Sequence, residues 1–410
     1  MPAVNSSTIK FHTLGCKVNQ YETQSIRERF LEHGFREIRG RGKPADFSLV
    51  NTCTVTAGAD QKSRAAIRRC ANESPGGKII VTGCLVKNDS AALAKIKGVS
   101  FIVDKGFFGE GISDFCGRTR AFIKIQDGCD NFCAYCKVPL ARGRSRSRDF
   151  KTVIKEAKAL AEKGFREIVL TGICLGDYGR GLGKGVNLVK LVDELEKIGE
   201  LSRIRLSSIE AAFVTEELIA RMARSPKLCP HLHIPIQSGD DAILKKMRRR
   251  YTRNFYLRLI NKIKNKIPDL AVTTDCLVGF PGETEKQFLG TLDLVRRIAL
   301  ARTHIFPYSP REGTSAYARP AGVMPPPEQI RERVALLKSA ARACAGKYIE
   351  GFLGRTMPVL FESASKAKRG YWEGYTANYI KVFYKSPDKM KNELKRVKLK
   401  SVCGDGVMAK

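Results

Sequence analysis

The sequence predicts an α/β protein in three parts: an open parallel α/β sheet, then an incomplete parallel (β/α)6 barrel, then a small β-barrel. Three observations carry this. Across residues 1–110 short apolar runs alternate with helical patterns, the order that βαβ crossovers produce. Across residues 118–345 the alternation repeats about six times in units of roughly 30 residues, as in a parallel barrel. Residues 346–410 switch to short β-like runs divided by charged turns. A chain of 410 residues is long enough for two or three cores. Its 43% hydrophobic and 28% charged residues are those of a globular protein.

In the first part, strands are expected at residues 8–14, 47–51 and 78–82, with helices at 21–33 and 59–71 between them. Residues 106–119, with Gly106, Gly109, Gly111 and Gly117 and little periodicity, read as a linker. Barrel strands are expected at 121–125, 167–170, 203–207, 231–234, 271–278 and 303–306. Barrel helices are expected at 152–163, 188–198, 215–224, 240–246, 254–266 and 285–298. Pro325-Pro326-Pro327 precedes a basic helix from Glu328 to about residue 348. The last part offers β-like runs at 356–361, 372–375, 380–384 and 396–402.

Thirteen cysteines stand in the chain. No run approaches about 18 uninterrupted apolar residues, and Met1-Pro2-Ala3-Val4-Asn5 lacks a basic-then-apolar signal pattern. A cytoplasmic protein with no membrane span is therefore expected, and that compartment keeps thiols reduced, so some cysteines are better read as ligands. Cys129, Cys133 and Cys136 follow the first barrel strand at spacing Cys-x3-Cys-x2-Cys, in the loop Gly128-Cys129-Asp130-Asn131-Phe132-Cys133-Ala134-Tyr135-Cys136. Three such thiolates can hold three irons of a cubane and leave the fourth open; a tetrahedral zinc site would want a fourth ligand, and none adjoins the trio. Cys16, Cys53 and Cys84, 37 and 31 residues apart, each stand just past the end of an expected strand. Open α/β sheets place their binding crevice there.

Cys129, Cys133 and Cys136, with Tyr135 before the last, resemble the cluster loop of radical S-adenosylmethionine enzymes. The run Ala141-Arg142-Gly143-Arg144-Ser145-Arg146-Ser147-Arg148 resembles one branch of them, the methylthiotransferases. Leu14-Gly15-Cys16-Lys17-Val18-Asn19-Gln20-Tyr21-Glu22, Asn51-Thr52-Cys53-Thr54-Val55-Thr56 and Thr82-Gly83-Cys84 resemble the three ligand segments of that family's N-terminal domain. The resemblance implies two 4Fe-4S clusters, one on Cys129, Cys133 and Cys136 that binds S-adenosyl-L-methionine, and an auxiliary one on Cys16, Cys53 and Cys84. It makes the central part a radical SAM barrel and the last part a TRAM domain, the latter through Gly374-Tyr375-Thr376-Ala377-Asn378-Tyr379. Lys137 and Leu140 stand where the family pattern has an aliphatic and an aromatic residue.

Loops at the expected barrel mouth also resemble the family, which implies cofactor contacts from Tyr135, Thr171, Gly172, Glu210, Gln237, Gly279 and Phe306. Catalytic residues beyond the two clusters are not apparent. Two local patterns point elsewhere. Gly179-Arg180-Gly181-Leu182-Gly183-Lys184-Gly185 looks like a phosphate cradle, but Lys184 is followed by glycine, so the P-loop template fails. His231 and His233 share one strand face, and with no acidic neighbour in sequence they are expected to pack or to line the cofactor. The other cysteines are expected to be small buried hydrophobes.

Seventy-three Lys and Arg against 41 Asp and Glu give a net charge of +32, an excess that concentrates polyanions at the surface. Residues 346–410 carry 14 basic and six acidic side chains, interleaved with Tyr371, Trp372, Tyr375, Tyr379, Phe383 and Tyr384. Basic groups neutralise phosphates and aromatic faces stack bases, although in so small a barrel many of these rings are needed as core. RNA contacts are expected from Arg142, Arg144, Arg146, Arg249 and Lys381.

The resemblance implies methylthio transfer to an unactivated carbon. The segments Tyr308-Ser309-Pro310-Arg311-Glu312-Gly313-Thr314 and Gly374 to Tyr379 are most similar to the branch acting at C2 of N6-threonylcarbamoyladenosine-37 of tRNA. The expected partners are the tRNA anticodon stem-loop and an electron donor such as flavodoxin or ferredoxin, with the enzyme a monomer. Isopentenyladenosine-37 as substrate, a methylase using the radical cluster alone, and a non-catalytic iron–sulfur redox sensor that binds RNA stay open at this point.

Overall fold

A computed structural model describes residues 7–40, 42–318, 320 and 322–410; the N-terminal residues read above for a signal pattern lie outside these. By internal contacts the chain forms two compact units, and these do not follow chain order. One holds the chain up to Cys116 together with Asp127–Ser145 and Ser309–Tyr317; the other holds Gly117–Gln126, Arg146–Tyr308 and Ala318–Lys410.

The first unit contains β1 (Thr8–Thr13), α1 (Lys17–Glu32), β2 (Arg36–Glu37), β3 (Phe47–Thr52), α2 (Ala57–Glu73), β4 (Lys78–Gly83), α3 (Val86–Ala94) and β5 (Val99–Ile102). The strands form one parallel sheet in the order β2-β1-β3-β4-β5. β3 and β4 are buried almost throughout, as a strand covered by helices on each side must be. The Gly-rich stretch read as a linker packs onto α1: Glu28 accepts the amides of Ser113 and Asp114, and Gln24 accepts that of Cys116.

In the second unit six parallel strands make an open arc. Arg203–Leu206, Glu167–Thr171 and Arg120–Lys124 pair in that order. His231–His233, Ala271–Val278 and Arg302–Pro307 form the other half, and a parallel bridge from Ser208 to His233 joins the two. Among the described residues no pairing joins the first strand to the last, so the barrel is incomplete. Helix starts are written in the sequence: Asp149, Asn187, Thr215, Asp240, Thr252 and Thr284 each cap a barrel helix by accepting a backbone amide three residues on. Gln287 reciprocates at Thr284, completing a capping box. The helix Pro327–Glu350 opens on a proline and packs against the edge strand Arg302–Pro307.

Residues after Thr356 close into a five-stranded barrel of Thr356–Ala364, Tyr371–Thr376, Lys381–Lys385, Leu394–Cys403 and Gly406–Ala409. The fifth strand is one that the sequence pattern did not predict. Val359, Phe361, Val382, Val397, Leu399 and Val407 fill its core.

Candidate active site: two thiol trios in one compact unit

β1, β3 and β4 are neighbours in one parallel sheet, so Cys16, Cys53 and Cys84 leave adjacent strand ends, about 4.8 Å apart per strand. The glycine before two of these thiols is a steric requirement. Gly15 has φ +100°, and a Cβ there would stand 2.9 Å from Cys53 Cβ; at Gly83, φ +98°, it would stand 2.4 Å from Asn51 Oδ1. Side-chain-bearing residues rarely adopt such φ values. Each thiol also lies at a helix start: Cys16 is the N-cap of α1, Cys53 lies shortly before α2, and Cys84 directly precedes the cap of α3. Positive helix ends thus border these thiols. Burial pushes the Cys53 thiol up, and pushes Cys84 up to about 12; Cys16 adds to both shifts and Arg142 opposes both. The same two groups therefore lie within electrostatic reach of both thiols.

The second trio sits on a loop folded back upon itself. Cys129 N donates to Gly143 O at 3.1 Å, Cys136 N to Cys133 O at 3.0 Å, and Gly128 N to Asp127 Oδ1 at 2.8 Å. At Gly128, φ +72°, a Cβ would lie 1.9 Å from Arg144 O, so only glycine lets the two sides of the loop close. Tyr135 is half-buried within this loop. None of the six cysteines is in a disulfide.

Arg142 ends the short helix α4 (Val138–Arg142) with its side chain only 2% exposed. Its Nη1 donates to Glu22 Oε1 and Asp127 Oδ1, both at 2.9 Å; Nη2 donates to Asn19 Oδ1 at 2.7 Å and Glu22 Oε2 at 3.1 Å. A second tie comes from Ser309–Tyr317. Ser309 Oγ accepts from Ala57 N at 3.1 Å, and Arg311 donates to Thr54 Oγ1 at 2.9 Å and pairs with Asp60. Further along, Ala316 N donates to Ala134 O at 2.8 Å. One segment thus touches both cysteine-bearing loops.

In the second unit, Thr171, Gly172, Glu210, Gln237, Gly279 and Phe306 all fall at or near the carboxyl ends of the parallel strands. Thr171 is buried and Phe306 exposed. Gln126 Oε1 accepts the amides of Ile173 and Cys174, and a Cβ on Gly172 would meet it at 3.0 Å. Gln237 takes φ +65° and bridges to Cys276. Gly279 packs against Ile330, and its amide donates to Glu283, which pairs with Arg333. His231 contacts Thr273 and the Tyr379 ring, as a packing role requires, whereas His233 has an acidic neighbour that is distant in sequence. Asp275 lies one strand away, with one oxygen 3.2 Å from His233 Nε2 and the other 3.1 Å from His304 Nδ1. Ligand atoms of the three lie within 4.8 Å of one another, but each carboxylate oxygen is engaged by a different imidazole, a hydrogen-bonded row rather than convergence on a centre. Burial raises the Asp275 pKa, and the two imidazoles more than offset it, holding the carboxyl well below the usual range.

Residues 123–295 match the Radical SAM superfamily, and residues 8–104 match Uncharacterized protein family UPF0004. A threonylcarbamoyladenosine tRNA methylthiotransferase MtaB of Bacillus subtilis is 41% identical over 96% of this chain and 94% of its own. The chain belongs to the radical SAM methylthiotransferase family. The MtaB of Thermotoga maritima is 35% identical over 98% of this chain and 96% of its own. A tRNA-2-methylthio-N(6)-dimethylallyladenosine synthase of Clostridium tetani is 33% identical over 90% and 88%. In fold the chain is similar to the radical S-adenosylmethionine methyltransferase TsrM of Kitasatospora setae, with TM-score 0.55, 14% identity, and 83% of this chain and 89% of that one covered. Membership in the superfamily implies S-adenosylmethionine and a 4Fe-4S cluster, and the Cys129, Cys133 and Cys136 trio, in no disulfide and gathered on one closed loop, fits the cluster.

For this methylthiotransferase the expected RNA contacts divide. Arg144 and Arg146 are exposed, although Arg144 lies near Asp130 and 4.8 Å over the Phe132 ring. Arg142 is not a surface phosphate contact, because its buried guanidinium is engaged by Glu22, Asp127 and Asn19. Nor is Arg249, whose side chain is buried beside Glu210 at 3.5 Å. Lys381 is held by Glu373 and Asp405. The aromatic rings fall on the packing side of the two roles left open for them. Tyr379, at φ +70°, packs between Arg120 and Arg205, with ring distances of 5.2 and 4.2 Å, and accepts from Arg120 at 2.7 Å. Trp372 and Tyr384 pack on the barrel core. The sequence reading missed Arg311 and the group of Arg120, Arg203, Arg205 and Glu167 at the base of the strands. The available signal was charge at the start of otherwise apolar strands, which demands a buried partner.

Proposed function

We propose that this enzyme places a methylthio group at C2 of N6-threonylcarbamoyladenosine at position 37 of tRNA, using two 4Fe-4S clusters and S-adenosyl-L-methionine. The observation that carries the reading is the 41% identity over 96% of the chain to a relative named for that nucleoside. The two thiol trios within one compact unit support it. When bound, the radical cluster and S-adenosylmethionine supply a carbon-centred radical that can activate an unreactive C–H bond, and the auxiliary cluster supplies sulfur. Cys129, Cys133 and Cys136 would ligate the first cluster, and Cys16, Cys53 and Cys84 the second. Thr171, Gly172, Glu210, Gln237, Gly279 and Phe306 would line the S-adenosylmethionine site, Gly172 and Gly279 by shaping the loops.

The functional domains on this reading are residues 1–110, 118–345 and 346–410. The anticodon stem-loop would be contacted in the second unit by Arg146 and by Arg396, Lys398 and Lys400, which alternate with buried Val397 and Leu399 and so line the outer face of one strand. Among the described residues no helix is long and apolar enough to cross a membrane. A cytoplasmic monomer reduced by a flavodoxin or ferredoxin completes the proposal.

The test is direct. Reconstituted enzyme, reductant and S-adenosylmethionine are incubated with tRNA carrying either threonylcarbamoyladenosine or isopentenyladenosine, and the nucleosides are analysed by mass spectrometry. Methylthiolation of the threonylcarbamoyl substrate is expected. Product from the isopentenyl tRNA alone moves the assignment to the branch represented by the Clostridium tetani relative. 5′-Deoxyadenosine without any sulfur insertion overturns the reading.

A further inference from the structure

Arg142 lies in a run that alternates arginine with small residues, and in sequence it looks like part of a solvent-facing basic stripe. Instead its guanidinium joins two segments more than 100 residues apart, the sequence separations to Glu22 and Asn19 being 120 and 123. On one side it holds Asp127, whose Oδ1 also accepts the amide of Gly128, the residue before Cys129. On the other side it holds Asn19, a hub for the other trio. Asn19 Nδ2 donates to Leu14 O and Thr52 O, both at 2.9 Å, and its Oδ1 lies 3.5 Å from Cys16 Sγ. Thr52 is the residue before Cys53. A continuous hydrogen-bonded chain therefore runs from the entry of the Cys129 loop to the entries of the Cys16 and Cys53 loops.

We propose that Arg142 is the positioning residue that fixes the Cys129, Cys133 and Cys136 loop against the Cys16, Cys53 and Cys84 trio. The assignment rests on the two-cluster reading above. A planar fork that donates to two elements at once suits this task, and an ammonium, a point charge on a flexible stem, does not. Glu22 and Asp127 balance the buried cation, and Lys105 takes the other oxygen of Asp127 at 3.0 Å. The set separation of the two centres is what a radical made at one and a sulfur held at the other would need in order to meet on a single carbon.

The experiment compares the full chain with Arg142→Lys, and with the double variant Arg142→Gln/Glu22→Gln, which removes the central pair of charges together. Each is reconstituted anaerobically and read in three ways: iron per chain, methylthiolated nucleoside per 5′-deoxyadenosine, and the magnetic interaction between the reduced clusters by electron paramagnetic resonance. Both variants are expected to lower the product ratio by about ten-fold or more, because an ångström of misplacement costs that much or more, and to alter the inter-cluster interaction. Iron-loaded variants with an unchanged ratio and spectrum overturn the assignment. So does a proportional fall of both products with an unchanged spectrum, the signature of simple loss of folded enzyme. If the unsubstituted chain holds about four irons rather than about eight, the two-cluster reading fails and takes this inference with it.

Discussion

Arg142 in the first unit and Arg205 in the second both bury a guanidinium against carboxylates brought from elsewhere in the chain, with side chains 2% and 1% exposed. Arg205 pairs with Glu167 at 2.7 Å, donates to Ala377 O at 2.8 Å, and lies under Tyr379. Arg203 adds bonds to Tyr375 O and Pro358 O. Everything these two touch is scaffold: the base of the parallel strands and the loop of the C-terminal barrel that docks there. Arg142 touches groups adjoining three cysteines, Cys16, Cys53 and Cys129. Burial and charge are the same in both places, so neither tells function from architecture; the identity of the next neighbours does.

That contrast can be broken. Arg205→Ala leaves Glu167 short of its closest partner inside the protein, and breaking such a pair costs about 3–5 kcal/mol. A large loss of stability to urea is expected, with the C-terminal barrel more readily released by protease. Retention of wild-type stability would remove the docking role. Glu167 gives a second test. Burial alone would raise its pKa, but Arg205, Arg120 and Arg203 bring it down to about 2. A depressed carboxyl stabilises the fold above its unfolded pKa of about 4 and loses that contribution as pH falls through about 2. The shift corresponds to about 3 kcal/mol. Acid unfolding followed by circular dichroism should therefore steepen between those values, and Glu167→Gln should remove that dependence.

Gly83→Ala probes the thiol side. Its φ of +98° and the 2.4 Å approach to Asn51 predict about 2 kcal/mol of destabilisation, with iron lost from one trio only. Equal loss from both would mean that the trios do not load independently. The smallest effects are expected at Arg396, Lys398 and Lys400. Each change to Gln should lower the salt slope of tRNA binding by about one and leave the melting temperature almost unmoved. A flat salt response would place the tRNA elsewhere.

The difference between local and distant causes also sorts what the sequence reveals. Barrel helices were legible because their starts are local: Thr284 with Gln287 announces Glu285–Ile298 within four residues. The thiol trios were legible because each of Cys16, Cys53, Cys84 and Cys129 stands just past the end of a strand. Strand Gly406–Ala409 was not, since four residues after a turn carry almost no periodicity. Arg142 was misread because its acids lie in α1, far away in the chain, whereas Arg144 and Arg146, two and four residues on, stand exposed as the stripe suggested. The sequence leaves Tyr375 and Tyr379 open between base stacking and packing, and only the docking of strand ends onto that loop shows them against Arg120. Side chains whose partners are set by tertiary packing were the ones that misled.

The measurement that bears most directly on the account is iron per chain after anaerobic reconstitution, for the unsubstituted protein, Cys16→Ala and Cys129→Ala, alongside product analysis. About eight irons are expected in the first and about four in each variant. Cys16→Ala should still form 5′-deoxyadenosine and insert no sulfur, and Cys129→Ala should form neither product. A Cys16→Ala protein that keeps its full iron content, or still methylthiolates tRNA, would contradict the assignment of a second cluster to the N-terminal sheet.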